Sequence, residues 1–324
     1  MNIVDALQCS HFDRDLFQEL RAGGVTCVTA TLGFWEDTLE SLDAIGKYRD
    51  LARANDDLVL IARSPGDLER AARTGRTALL LGFQNSCALG GRIRYAELLA
   101  DLDIRVMQLT YNVQNDVGGS CYDSFDGGLT RFGRELVEEL NQVGILIDLS
   151  HVGERTTYDV LEASSRPVAF THANPSALVP HRRNKSDELL RALAGSGGVV
   201  GIVVYRSLCG EYADDPQRWT DLVVHAVDVC GVEHVGIGTD LTSKFTEADI
   251  RRMRTGRWTR GDGCGAGAAG QPINAAPLDW FTSSRDFPVI ANALAERGFA
   301  AHEVEAIMGG NWLRLYGEVF SAAV

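Results

Sequence analysis

Two histidines leave apolar runs at the same relative place. In "ILIDLSH" the run 145–149 ends two residues before His151, and in "VAFTH" the run 168–171 delivers His172. Imidazoles at the ends of neighbouring parallel strands point into one small volume, which makes them a natural pair of zinc ligands. "HVGIGTD" brings Asp240 out of a further run. Near a metal, an aspartate can orient and deprotonate an attacking water; the other reading is a cap on the next turn. Cys9 and Cys87 also fall near strand ends, where thiols could bind metal or react, although a buried bystander cysteine is the commoner case.

These residues need a scaffold that gathers strand ends. Apolar runs at 3–7, 25–31, 77–83, 105–109, 145–149, 168–171, 199–205 and 234–239 alternate with segments of helical period. That is the pattern of βα units and a parallel sheet, and several runs are apolar at nearly every position, as strands buried on both faces should be. Residues 131–143 have helical spacing and stop at Gly144, and 186–193 opens with Ser, Asp and Glu. Eight strands with interposed helices predict a single parallel (β/α)8 barrel of the TIM type over 1–324, with chemistry at the C-terminal strand ends. Strand counting alone also fits an open doubly wound sheet.

After the last strand, 242–277 reads as a long excursion over the site, with a Gly- and Ala-rich run at 261–270. Residues 286–316 read as two closing helices broken near Gly309 and Gly310. Trp35, Trp258, Trp280 and Trp312 read as packing residues; Tyr122 and Tyr205 are within reach of the pocket from strand-end loops.

Composition narrows the classes. The chain is 45% hydrophobic, and 31 Lys+Arg stand against 44 Asp+Glu, a net charge of −13. An acidic chain without a basic run argues against nucleic acid. No apolar stretch reaches the roughly 18 residues of a membrane span, and the N-terminus reads as a strand and not as a signal peptide. The 7 scattered cysteines predict reduced thiols and a cytoplasmic protein.

"LIDLSHVGERT", "VAFTHANPSAL", "RRNKSDELL", "HVGIGTD" and "GGNWLRLY" follow one another as landmarks that resemble the membrane dipeptidase (renal dipeptidase) family of zinc metallopeptidases, over essentially the whole chain. The resemblance implies a binuclear zinc site. A His-x-Asp pair on the first strand holds one metal, a glutamate of the third strand bridges both, and two histidines of the fifth and sixth strands hold the second. His151 and His172 match those histidines, and Asp240 matches the aspartate that handles the proton of the attacking water. Arg183, followed by Asn184, matches the pair that holds the substrate carboxylate, a task suited to a guanidinium fork. A surface pairing of Arg183 with Asp187 or Glu188 is the plainer alternative.

The chain departs from the family on three strands. Asp5-Ala6-Leu7-Gln8-Cys9 stands where the family has Asp-Gly-His-x-Asp, Gln84 in "LLLGFQNSCAL" stands at the bridging glutamate, and Tyr111 in "LTYNVQN" stands where a histidine steadies the tetrahedral intermediate. Leucine cannot ligate, cysteine can as a thiolate, and a neutral amide binds only weakly. The literal His11-x-Asp13 lies four residues late, about 13 Å further along a strand, where Ser10 and Asp13 suit the start of a helix over 13–21.

The expectation is a depleted site: at most one zinc per chain on His151 and His172, completed by Gln84 or Cys9. Asp240 would be catalytic, with Arg183, Asn112 and Tyr111 at the substrate. The activity expected is hydrolysis of a dipeptide or similar small amide with a free carboxylate. The alternatives are a hydrolysis-deficient carboxylate-binding or scaffolding barrel, or a thiol-dependent or lyase-type enzyme using Cys9. A homodimer would be ordinary for such a barrel.

Overall fold

The computed structural model describes residues 1–257 and 277–320. The Gly- and Ala-rich run 261–270 and Trp258 lie outside the described residues, as does most of the second half of the excursion.

Apolar runs, several of them rich in Val, Ile and Thr, become strands, all parallel: β1 Ile3–Gln8, β2 Val25–Thr31, β3 Val59–Ile61, β4 Thr77–Phe83, β5 Ile104–Gln108, β6 Leu146–Asp148, β7 Ala169–Phe170, β8 Val199–Ile202 and β9 Val235–Ile237. Eight of them form the path β1-β2-β4-β5-β6-β7-β8-β9. The ring closes just past β9. Gln8 bridges Leu241 in parallel, the Asp240 amide donates to Leu7 O at 3.0 Å, and the Cys9 amide donates to Leu241 O at 2.8 Å. Closure excludes the open sheet and gives the (β/α)8 barrel.

β3 corrects the eight-strand count, because it pairs with the first half of β4 (Val59↔Thr77) beside the barrel wall. Three residues are too few to show a period. Later strands are also shorter than their apolar runs. The run 199–205 stops at Ile202 because Tyr205 precedes a helix Arg206–Cys209, and His234 belongs to a 3-10 turn Val232–His234 instead of β9.

Helix boundaries follow capping chemistry. Asp13 accepts from the Leu16 amide to start Arg14–Ala22, Ser186 accepts from the Leu189 amide to start Asp187–Gly195, and Gly144 in the left-handed region ends Arg131–Val143. His11 therefore sits outside the barrel mouth and pairs with Asp249 at 3.2 Å.

The closing helices differ from expectation. The break falls at Gly298, after Phe287–Arg297. From Ala301 the chain stays helical through a π turn Ala306–Gly310 into Asn311–Phe320. A Cβ on Gly309 would lie 2.6 Å from Asn2 O, so the glycine permits close packing against the start of β1 instead of breaking the helix. Trp312, Leu315, Tyr316 and Val319 then plug the barrel from below against Val4, Ala6, Leu80 and Leu146. Trp312 Nε1 donates to Ile237 O at 3.1 Å. With the lower end filled, a ligand can be admitted only at the C-terminal strand ends. Among the described residues no helix is long and apolar enough to cross a membrane.

Candidate active site

β6 and β7 carry the two histidines to adjacent places. His151 Nε2 and His172 Nε2 lie 3.1 Å apart, and both rings are buried. Their outer nitrogens fix the tautomers. Thr171 Oγ1 gives its only proton to Asp148 Oδ2 at 2.6 Å. The 2.8 Å contact between Thr171 Oγ1 and His172 Nδ1 therefore has the ring donating. Asn112 Oδ1 can only accept, so His151 Nδ1 donates to it across 2.6 Å. Burial first, and then the Arg183 guanidinium, hold both imidazoles well below the usual histidine range, so both are neutral. Each ring's one proton is on Nδ1. Two Nε2 lone pairs consequently face each other.

Buried aspartates set the strand ends. Asp148 accepts from Ser150 Oγ at 2.6 Å and from the Thr171 amide at 3.0 Å, which ties the end of β6 to that of β7. Asp5 repeats this device between β1 and β9, accepting from the Thr239 amide at 2.8 Å and Thr239 Oγ1 at 2.6 Å. Asp240 follows directly, with a left-handed φ of 56°, an unusual conformation for a residue other than glycine. Burial pushes its carboxyl up to about 6, opposed by Arg183.

Arg183 is 1% exposed. Its Nη1 donates to Ser150 O, and its Nη2 donates to His172 O at 3.0 Å. The surface pairing is thereby overturned: Asp187 pairs with His225 at 2.8 Å instead. Paired backbone bonds between 174–176 and Lys185 draw this segment under the strand ends. Lys185 Nζ joins in, donating to Leu149 O at 3.0 Å and Val152 O at 3.1 Å; burial, and then Arg183, lower its pKa to about 7. Arg183 and Lys185 thus clamp the loop that carries His151.

Tyr111 stacks on His151 with ring centres 4.4 Å apart. Tyr111, Asn112, His151, Arg183, Tyr205, Gln84 and Asp240 line one cavity. Tyr122 does not line it. Asn112, expected at the substrate, has its carbonyl oxygen committed to His151.

Cys9 and Gln84 do not join the histidines as ligands. Burial, and then Asp240, push the Cys9 thiol well above its usual range. It stays protonated and donates to Asp240 Oδ1 at 3.3 Å, while Gln84 Nε2 donates to Cys9 Sγ at 2.9 Å and to Thr31 Oγ1 at 3.0 Å. Leu7 is buried hydrocarbon beside them. Among the described residues no three His, Cys, Asp or Glu side chains converge as a metal site. The first metal position and the bridge of a binuclear centre do not fit this chain. One ion at the histidine pair does, since two bonds of about 2.05 Å from a tetrahedral ion span roughly 3.3 Å between nitrogens. The protonated Cys9 also leaves no ready thiolate for thiol catalysis.

A closed parallel barrel with histidines and a carboxylate at its strand ends defines the class: a barrel hydrolase with metal-ligand chemistry. The sequence profile of the membrane dipeptidase family (peptidase family M19) matches residues 5–252, and the chain belongs to that family. It is a hydrolase of the metallopeptidase class, and its family works through a metal cofactor. The chain is 27% identical to the dipeptidase verJ of Clonostachys rogersoniana over 98% of its own length and 79% of that protein's. It is 28% identical to the dipeptidase tcpJ of Claviceps purpurea over 89% of the chain, which spans 61% of that relative. Among solved structures, an amidohydrolase from Pseudomonas aeruginosa superposes with a TM-score of 0.90 at 34% identity, covering 98% of this chain and 96% of that one. A metallo peptidase from Rhodobacter sphaeroides, liganded with a phosphinate mimic of L-Ala-D-Ala, shares the fold at 18% identity with a TM-score of 0.81, covering 98% and 99%.

Asp5, Asp148, Thr171 and Lys185 are positioning residues that no sequence motif marks. A carboxylate inside each of two apolar strands was the available signal.

Proposed function

We propose that this chain hydrolyses the amide bond of a dipeptide or similarly small amide with a free carboxylate, using one zinc ion held by His151 and His172. The observation that carries this reading is the 3.1 Å approach of His151 Nε2 to His172 Nε2, with His151 at the wall of a cavity shared with Asp240 and Arg183. Lone pairs at that separation repel unless a cation lies between them. A divalent ion there supplies Lewis acidity to the scissile carbonyl and to the attacking water.

The chain's own residues do the rest. Asp240 accepts the water proton and returns it to the leaving amine. Arg183 keeps a second N–H on each amino group beyond those given to the two carbonyls, and these turn to the substrate carboxylate. Tyr111 walls the site, and Asn112 holds the His151 tautomer. Family membership favours hydrolysis over a binding-only barrel. The six described cysteines are free, which supports a reducing, cytoplasmic setting.

Elemental analysis after zinc loading and desalting is expected to give no more than about one ion per chain. Two stoichiometric ions would overturn the single-ion site and make Cys9 or His11 a ligand.

The pH profile follows from Asp240. A carboxyl near 6 is protonated below that pH and cannot accept a proton, so kcat/KM should rise as pH climbs through about 6. Folding favours the protonated form of this raised group. Its stabilising contribution is therefore full below 3.8 and lost as pH rises through about 6. A rate that falls across this interval removes Asp240 as the base.

A further inference from the structure

The segment after β9 carries a helix, Glu247–Thr255, started by a capping box between Thr246 and Asp249. Ile250, Met253 and Arg254 share one face of it at spacings of three and four, and all three line the cavity of His151, Asp240 and Arg183. The helix caps the barrel mouth. Under it the cavity measures about 40 Å³. One water occupies about 30 Å³, and sites for small organic ligands start near roughly 300 Å³. A dipeptide does not fit in this compartment as it stands; the compartment shares Met253 with a neighbouring one of about 190 Å³ and Asp240 and Tyr205 with another of about 120 Å³, so the helix stands between His151 and the room a dipeptide needs.

Its outer fastenings permit the helix to move. Arg252 pairs with Glu36 at 2.7 Å and His11 with Asp249 at 3.2 Å; Arg252 and His11 face solvent, while Glu36 and Asp249 are partly covered. Trp35 Nε1 donates to Met253 O at 3.2 Å. Ion pairs with one solvent-facing member contribute little to holding a helix.

Arg254 is the notable residue of the inner face. It is 6% exposed, like Ile250 one turn earlier, so an apolar side chain would fill the place at no cost in charge desolvation. Its guanidinium instead hydrogen-bonds the phenol of Tyr205, another cavity residue. A helix that covers a site and carries a guanidinium into it brings a planar, bidentate carboxylate partner with each closure.

We propose that Arg254 is a specificity-determining residue, delivered by the capping helix Glu247–Thr255, which with Arg183 grips the carboxylate of the bound substrate. This rests on the hydrolase reading for its substrate class.

The test compares Ala-Ala with Ala-alaninamide, in the parent and in Arg254→Gln and Arg254→Lys. Arg254→Gln should raise KM for Ala-Ala at least tenfold, change kcat less than threefold, and leave KM for the amide within twofold. Arg254→Lys should recover part of the loss, and carries the comparison if the glutamine variant melts early. Backbone hydrogen exchange across 247–255 should slow when Ala-Ala binds the parent, and slow less in Arg254→Gln. Equal effects on acid and amide, a parent that binds the acid no better than the amide, or exchange indifferent to Ala-Ala would each overturn the proposal. If the parent turns over neither compound, the hydrolytic reading fails, while calorimetric binding of Ala-Ala to the same variants still decides the role of Arg254.

Discussion

Alanine at either His151 or His172 is expected to cost at least ~100-fold in zinc affinity and ~1000-fold or more in kcat/KM. The two rings have complementary roles. Each offers one lone pair, and the described neighbours offer no replacement, since Cys9 is a protonated donor and the Gln84 amide nitrogen faces it. One imidazole cannot hold zinc against water. Because the pair acts as a unit, the double variant should be hardly worse than either single one. Each substitution also strips a buried partner of its donor, Asn112 Oδ1 in one case and Thr171 Oγ1 in the other. A loss of about 1–3 kcal/mol in folding stability should accompany it. Zinc titration and urea unfolding of the three variants check both parts. Single variants that hold zinc as tightly as the parent would place the metal elsewhere.

Arg183→Ala is expected to weaken free-carboxylate ligands by ~2–5 kcal/mol, with a much smaller loss for their methyl esters. The comparison separates two jobs that the structure gives one side chain. As a clasp, Arg183 ties Ser150 O to His172 O, and losing that would disturb acids and esters alike. As a carboxylate partner it distinguishes them. Arg183→Lys keeps the charge but not the fork, so it should retain part of the preference and little of the clasp. Equal losses for acid and ester would confine Arg183 to holding the strand ends. Binding of acids without turnover at any zinc loading would favour a binding barrel over an enzyme.

Much of this site could be read from the chain. β2 and β4 occupy 25–31 and 77–83, the limits their apolar runs predict, because a strand buried on both faces must be apolar throughout. His151, His172 and Asp240 stood out for a related reason: polar groups at the ends of such runs lie where a barrel opens. The missing ligands were equally legible, since Leu7 cannot bind metal in any fold. Three-dimensional packing decided the rest. β3 has too few residues for a period and exists by pairing with β4. Gly309 and Gly310 look like a break, but the approach of the chain to Asn2 makes them a packing contact within a helix. That Cys9 is a hydrogen-bond donor and not a ligand depends on Asp240, 231 residues away. The tautomers of both histidines depend on Asn112, Thr171 and Asp148, and the capping of the mouth by Arg254 depends on where the excursion after β9 lies. Residue type limits what a group can do, and that is written in the sequence. Its protonation, its partner and its access to a ligand depend on a few ångströms of long-range packing, which no local pattern encodes.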